Sequence, residues 1–308
     1  MISRQIPMPV RQFDQGQFMT NMQRKHVLAS ALAIAAAALA LPAFAADQPV
    51  AKVASAGPGA SLDVAYTISF WGIPFGETNF DSKFRDDIYT TVSHFDTTGI
   101  ASAFWEATID ASSNGHYAPH AISPYIYDSY YRRGSDKNER VKVTFSGDEP
   151  TVFAAPPYNL TAYPVTAEQK KEGLDPLSAV AYILTASKVD ASKPCGTIAP
   201  VFDGRRRYNI TFTYLRDEQA VLTTGVYKGK AHLCQMHYDQ IAGFKPKILK
   251  EGKALPPIFG WFADIPSADS PNGHYFIALR VWASTGYGTV SAELNKLKID
   301  GGSGVPKG

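Results

Sequence analysis

Cysteine is nearly absent: Cys195 and Cys234 are the only two in the sequence. They lie too far apart for a CxxC redox pair and are too few for a typical structural zinc site. Catalytic motifs are missing as well. There is no G-x-S-x-G nucleophile elbow, no H-E-x-x-H helix and no glycine-rich phosphate loop opening a helix. The glycines of Gly286-Tyr287-Gly288 read as a bend in a strand. His94, His116, His120, His232, His237 and His274 are scattered, without ligand spacing. Past the N-terminal region no run of about 18 apolar residues occurs, which excludes a further transmembrane helix. These absences predict no catalytic residue, no metal site and no cofactor.

The N-terminal region has the three parts of a secretory signal. Arg24 and Lys25 form a positive segment, residues 27–41 are almost wholly apolar, and Ala43-Phe44-Ala45 fits a small-x-small cleavage site. We therefore expect a signal peptide over residues 1–45, with Met19 or Met22 as alternative starts. Its removal takes away Arg4, Arg11, Arg24, Lys25 and Asp14, and the formal net charge of +2 becomes −1. A body so close to neutral gives no electrostatic case for nucleic acid. In an exported chain two cysteines are most simply a disulfide. Closing a loop of that length stabilises by about 4 kcal/mol in the chain-entropy model.

Small residues, Pro and Gly make residues 46–60 a flexible leader. Residues 61–300 read as one β-rich domain, and residues 301–308 as a disordered tail. Leu62, Val64, Tyr66, Ile68 and Phe70 alternate with small or polar residues, the period-2 pattern of a half-buried strand. Similar segments recur along the chain, separated by Gly, Pro and Asp turns. Turns are expected at Asn114-Gly115 and Asp203-Gly204, and a bend at Gly229 between strands at 221–227 and 230–240. Residues 100–107 are open between a short helix and a strand entry. Residues 151–166 and 245–257 read as long loops. One helix has strong signals, over about 175–187. Asp175 is its N-cap, Pro176 its first residue, and Leu177, Val180, Ala181 and Leu184 share a face. The expected fold is mostly β, a curved antiparallel sheet or open β-barrel with one covering helix.

Two groups of residues are candidate contacts. Arg205, Arg206 and Arg207, with Asp203 beside them, suit either a phosphate, carboxylate or acidic glycan, or a turn held by its own ion pairs. Trp71, Phe75, Tyr125, Trp261 and Trp282 suit either an apolar pocket or ordinary sheet packing. Asp175-Pro176-Leu177-Ser178, Phe202-Asp203-Gly204-Arg205-Arg206-Arg207-Tyr208, Cys234 and Ile241-Ala242-Gly243 together resemble the domain-of-unknown-function family 3108. That resemblance implies an exported protein in the periplasm of a Gram-negative bacterium and a curved, mostly antiparallel sheet. At the level of fold it is similar to the open barrels of periplasmic lipoprotein carriers. It brings no catalytic residues. The expected function is a non-enzymatic envelope protein binding an apolar or amphiphilic ligand, lipid or lipoprotein, in the curved sheet. The alternatives are an envelope-integrity protein contacting peptidoglycan or a protein partner, and a hydrolase.

Overall fold

The computed structural model of the chain describes residues 59–102, 106–118, 120–134, 137–185, 194–251, 256–267, 270–299 and 302–303. The expected signal peptide, most of the leader and most of the tail lie outside these residues.

Alternation produces the strands. In β1 (Ala60–Phe70), Leu62, Val64, Tyr66 and Ile68 are buried, and the residues between them only partly so. β2 (Ile73–Arg85), β3 (Ile88–Thr97), β4 (Ala107–Ala118), β5 (Ala121–Arg133), β6 (Lys137–Thr144) and β7 (Thr151–Ala155) continue as a meander. A second meander runs through β8 (Ile198–Phe202), β9 (Arg207–Val221), β10 (Lys228–Ala242), β11 (Ile258–Pro266), β12 (His274–Thr285) and β13 (Gly288–Ile299). β14 (Gly302–Ser303) pairs with β13. All belong to one sheet in the order β7-β6-β5-β4-β3-β2-β1-β13-β12-β11-β10-β9-β8. The meanders join where β1 pairs antiparallel with β13, Leu62 opposite Ile299.

This order leaves β7 and β8, neighbours in sequence, at opposite edges. The edges nevertheless approach each other. Gly204, in the β8–β9 turn, sits so near β6 that a Cβ there would lie 3.0 Å from Val141 Cγ1 and 3.1 Å from Val143 Cγ2. The sheet therefore curls until its ends meet across a seam. The free edge of β8 is occupied by Leu174, whose N–H donates to Pro200 O (2.8 Å) and whose carbonyl accepts from Phe202 N (2.7 Å). Such cover blocks strand addition by another chain.

Between the meanders come α2 (Ala167–Lys171) and α3 (Pro176–Leu184), with α1 (Gly99–Ser102) and α4 (Pro246–Glu251) elsewhere. The sequence identifies α3 correctly, with Asp175 as N-cap and Pro176 at its start. Its surroundings go beyond an amphipathic cover. Leu177 packs with Tyr127, Val143 and Phe202. Ala179 packs with Ala199, Val201 and Tyr208. Ala181 joins Phe84 and Tyr89, Leu184 joins the large core around Ile277 and Leu294, and Ile183 lies against Cys195 and Cys234. A helix apolar on every side is a buried one. The sheet wraps round α3, which contacts β3, β4, β5, β8 and β12.

Several expectations are corrected. Asn114-Gly115 is not a turn: β4 runs through it with a register shift, which absorbs the glycine. Residues 151–155 form β7, and residues 167–171 form α2 behind a Thr166–Gln169 capping box. Proline-rich flanks mask both elements. Residues 246–251 of the expected 245–257 loop are the helix α4. β9 and β10 are longer than expected, and the bend lies at residues 222–227 rather than at Gly229. Gly99–Ser102 is helical and a strand starts at Ala107, while residues 103–105 lie outside the described set. A register shift opposite Leu215 of β9 falls between Leu233 and Cys234, both buried, and His232 pairs with Asp217 (2.6 Å).

Candidate functional site

Two polar constellations lie within the curve of the sheet or at its seam. The first is buried at the root of α3. Asp175 Oδ1 accepts hydrogen bonds from the backbone N–H groups of Leu177 and Ser178, each at 3.0 Å. Its Oδ2 accepts from the hydroxyls of Ser113 (2.8 Å) and Ser178. Those hydroxyls lie 2.9 Å apart, and Tyr89 Oη approaches Ser178 Oγ at 2.5 Å. Burial pushes the Asp175 carboxyl up to about 6, against the pull of these donors. The group fixes one end of a helix that is mostly buried, with only Val180, Tyr182 and Ile183 partly exposed, and it is closed on itself. Ser113 and Tyr89 come from β4 and β3, and nothing in the local sequence around Asp175 points to them.

The second constellation is at the seam. Asp203 Oδ1 accepts from the N–H groups of Arg205 (2.9 Å) and Arg206 (2.6 Å), and its Oδ2 lies 3.5 Å from Arg206 Nε. The guanidinium of Arg206 also lies over Phe244 at 5.9 Å, and that of Arg205 over Tyr158 at 5.5 Å. Tyr238 hydrogen-bonds Arg206 and packs on Tyr208, with ring centroids 4.6 Å apart. Burial first, then the Asp203 charge, raises the phenols of Tyr158, Tyr208 and Tyr238, so all three are neutral donors. Asp203 in turn holds Arg206 above its usual value. Glu139 contributes charge to the surroundings of Tyr158, and burial pushes its own carboxyl up to about 7.

Arg207 has a different position. It is buried, and donates from Nη1 to Tyr208 O and Asn209 Oδ1 (each 2.7 Å) and from Nε to Gln169 O (3.2 Å). It ties α2 to β9 and has no free face to offer a ligand.

Gly243 supports the turn from below. It has φ +83, and a Cβ on it would lie 2.2 Å from Arg205 O. Gly243→Ala is therefore expected to cost about 2–3 kcal/mol, from overpacking and an unfavourable φ. A urea unfolding midpoint measures this, and an unchanged midpoint would contradict the close packing.

A family model described as a protein of unknown function (DUF3108) matches residues 65–295. The chain belongs to that family. Among solved structures it is similar to the β-barrel-like protein of domain of unknown function DUF1849 from Brucella abortus, at 12% identity and a TM-score of 0.49. That likeness covers 79% of this chain and 99% of the other. No curated protein matches.

In the DUF3108 chain the five candidate aromatics are dispersed. Trp261 and Trp282 meet edge to face at 5.3 Å, and Trp261 Nε1 donates to Glu218 Oε2 at 2.7 Å. Phe75 packs against the main core, and Tyr125 packs on His116 at 4.7 Å. Trp71 stands apart at the β1–β2 turn, 69% exposed and stacked on Phe70 at 5.4 Å.

One cluster unforeseen from the sequence lies on a solvent-facing side of the sheet. His94 Nδ1 bonds Asp110 at 2.7 Å and Nε2 bonds Asp96, while Arg132 donates to Asp110 at 2.8 Å. Partial burial lowers the imidazole, but the two carboxylates outweigh it, and His94 titrates above its ordinary value. Among the described residues no group of His, Cys, Asp and Glu is arranged to hold a metal.

Proposed function

We propose that the protein is a non-enzymatic, exported protein of the Gram-negative periplasm that engages an amphiphilic partner, lipid or lipoprotein. The contact is at a hairpin tip, since the space inside the sheet belongs to α3. One observation carries this reading. Trp71 of the β1–β2 turn and Ile73 at the start of β2 are 69% and 61% exposed, and Tyr287 of the adjoining β12–β13 turn is 47% exposed. The tip is preformed: Trp71 N donates to Thr289 O at 2.9 Å, and Gly288 lies flush against the indole. Neither residues 70–76 nor residues 284–289 include a charge. Exposed Trp and Tyr on an uncharged projection suit the boundary between headgroups and acyl chains.

The test is co-sedimentation with phosphatidylethanolamine/phosphatidylglycerol vesicles, beside native mass spectrometry of protein taken from its own periplasm. Binding is expected, with a blue shift of tryptophan emission. Replacing Trp71 with Ala, and Ile73 and Tyr287 with Ser, is expected to weaken it ~10-fold or more, given the transfer energies of such side chains. Clean apo protein that ignores the vesicles would sink the reading. A second reading, an envelope protein that contacts peptidoglycan or a protein partner, is supported by the half-exposed Arg205 and Arg206 at the seam.

A further inference from the structure

The seam constellation has a composition that turn stability alone does not require. A turn needs Asp203 and two backbone N–H groups. Here it also gathers two guanidinium groups, three phenols, Phe244 and Glu139 from separate strands and loops. We infer that Asp203, Arg205, Arg206, Tyr158 and Tyr238 form a binding site for a carboxylate-bearing glycan.

Three features set that class. The first is charge balance. Asp203 is hydrogen-bonded to two backbone N–H groups and lies against Arg206, while Arg205 lies over the Tyr158 ring. Two guanidinium groups thus face one engaged carboxylate, with Glu139 only partly charged near neutral pH. The excess is small and positive, which suits one anionic group and disfavours a multiply charged one. The second is hydrogen bonding. The phenols of Tyr158 and Tyr238 stay protonated at any physiological pH, so they can donate to ring and hydroxyl oxygens. The third is shape. Tyr158 carries Arg205 over one face and Tyr238 packs on Tyr208, but both are only partly buried, and the aromatic surface left exposed can meet the C–H groups of a sugar. An acyl chain would leave most of these donors without partners, and desolvated donors are costly.

This inference rests on the second reading above and is independent of the hairpin tip. Loss of vesicle binding leaves it untouched, and loss of glycan binding leaves the tip untouched. The experiment applies the full chain without its N-terminal signal to immobilised muramyl and uronic-acid oligosaccharides, with neutral cello- and chito-oligosaccharides beside them. Retention of the acidic set is expected, with neutral sugars at least ~10-fold weaker and binding reduced by salt. Arg205→Ala and Tyr238→Phe each remove a contact and leave the backbone turn in place. Each is expected to weaken binding ~5- to 10-fold with little change in melting temperature, the scale of one hydrogen bond or ion pair. No retention of any acidic oligosaccharide, equal retention of neutral ones, or two folded variants that bind like wild type would each overturn the assignment.

Discussion

Asp175→Ala is expected to lower the melting temperature by roughly 6–12 °C, from a loss of about 3 kcal/mol in a domain of this size. Two effects combine. The N-terminus of α3 loses the acceptor for Leu177 N and Ser178 N, a cap worth about 1 kcal/mol. The buried hydroxyls of Ser113 and Ser178 also lose their carboxylate, and buried donors left unpaired cost about 1–3 kcal/mol. Asp175→Asn separates charge from geometry. The folded-state value of about 6 for Asp175 lies above the unfolded one of about 3.9. A raised carboxyl contributes stability that is fully present below about pH 4 and is lost as pH rises through about 6. Between pH 7 and pH 4 the wild type should therefore gain about 2 kcal/mol on Asp175→Asn, which does not titrate there. Other groups, His94 and Glu139 included, are common to both proteins and cancel in the difference. Parallel pH profiles would place the carboxyl in a wetter setting than the fold describes.

The second large effect is expected from the disulfide. Cys195 and Cys234 are bonded with Cα atoms 6.1 Å apart, closing a loop of 39 residues in sequence separation. Cys195→Ser with Cys234→Ser should cost about 4 kcal/mol by the chain-entropy model. The location argues against a smaller value. Both cysteines are buried with Phe262 and Phe276, whose rings stack at 5.0 Å, and Ile183 near the end of α3 packs on the same group. Two hydroxyls there would need partners that this apolar cluster does not supply. Reduction should reproduce the loss, which separates the bond from the substitutions. Superimposable melts with and without reductant would refute the crosslink.

Local signals made α3 legible. Asp175 and Pro176 settle a helix start within two residues, and alternation in 62–70 settles a strand. Where tertiary structure overrides a local signal, the reading goes astray. Asn114-Gly115 is a strong turn dipeptide, yet the pairing of β4 with β5 continues past it and turns the glycine into a bulge. β7 is hidden among prolines because strand signals need alternation and its five residues give little. The arginine turn was visible as a candidate, and Arg205 and Arg206 do stand at the seam. What no spacing could show is that Tyr158, Tyr238 and Glu139, from three other parts of the chain, gather round it. The closure of the sheet brings them together, and closure is a property of the whole strand order. The histidines illustrate the same limit: His232 pairs with Asp217 across β9, a partner that no spacing in the sequence marks.

The pairing of β1 with β13 has a bearing on how the chain acquires its fold. Leu62 through Phe70 take their partners from Val290 through Ile299, so the centre of the sheet is the contact most distant in sequence. Hairpins within each meander can form early from local contacts, but joining them requires closure of the longest loop in the molecule, a slow step. Until then β1 has one neighbour and one open edge. A chain halted before residue 289 holds two half-sheets, each with its apolar side uncovered and α3 lacking part of its wall. Such a form invites holding factors or association with its own kind. β13, made long after β1, is the strand that commits the fold.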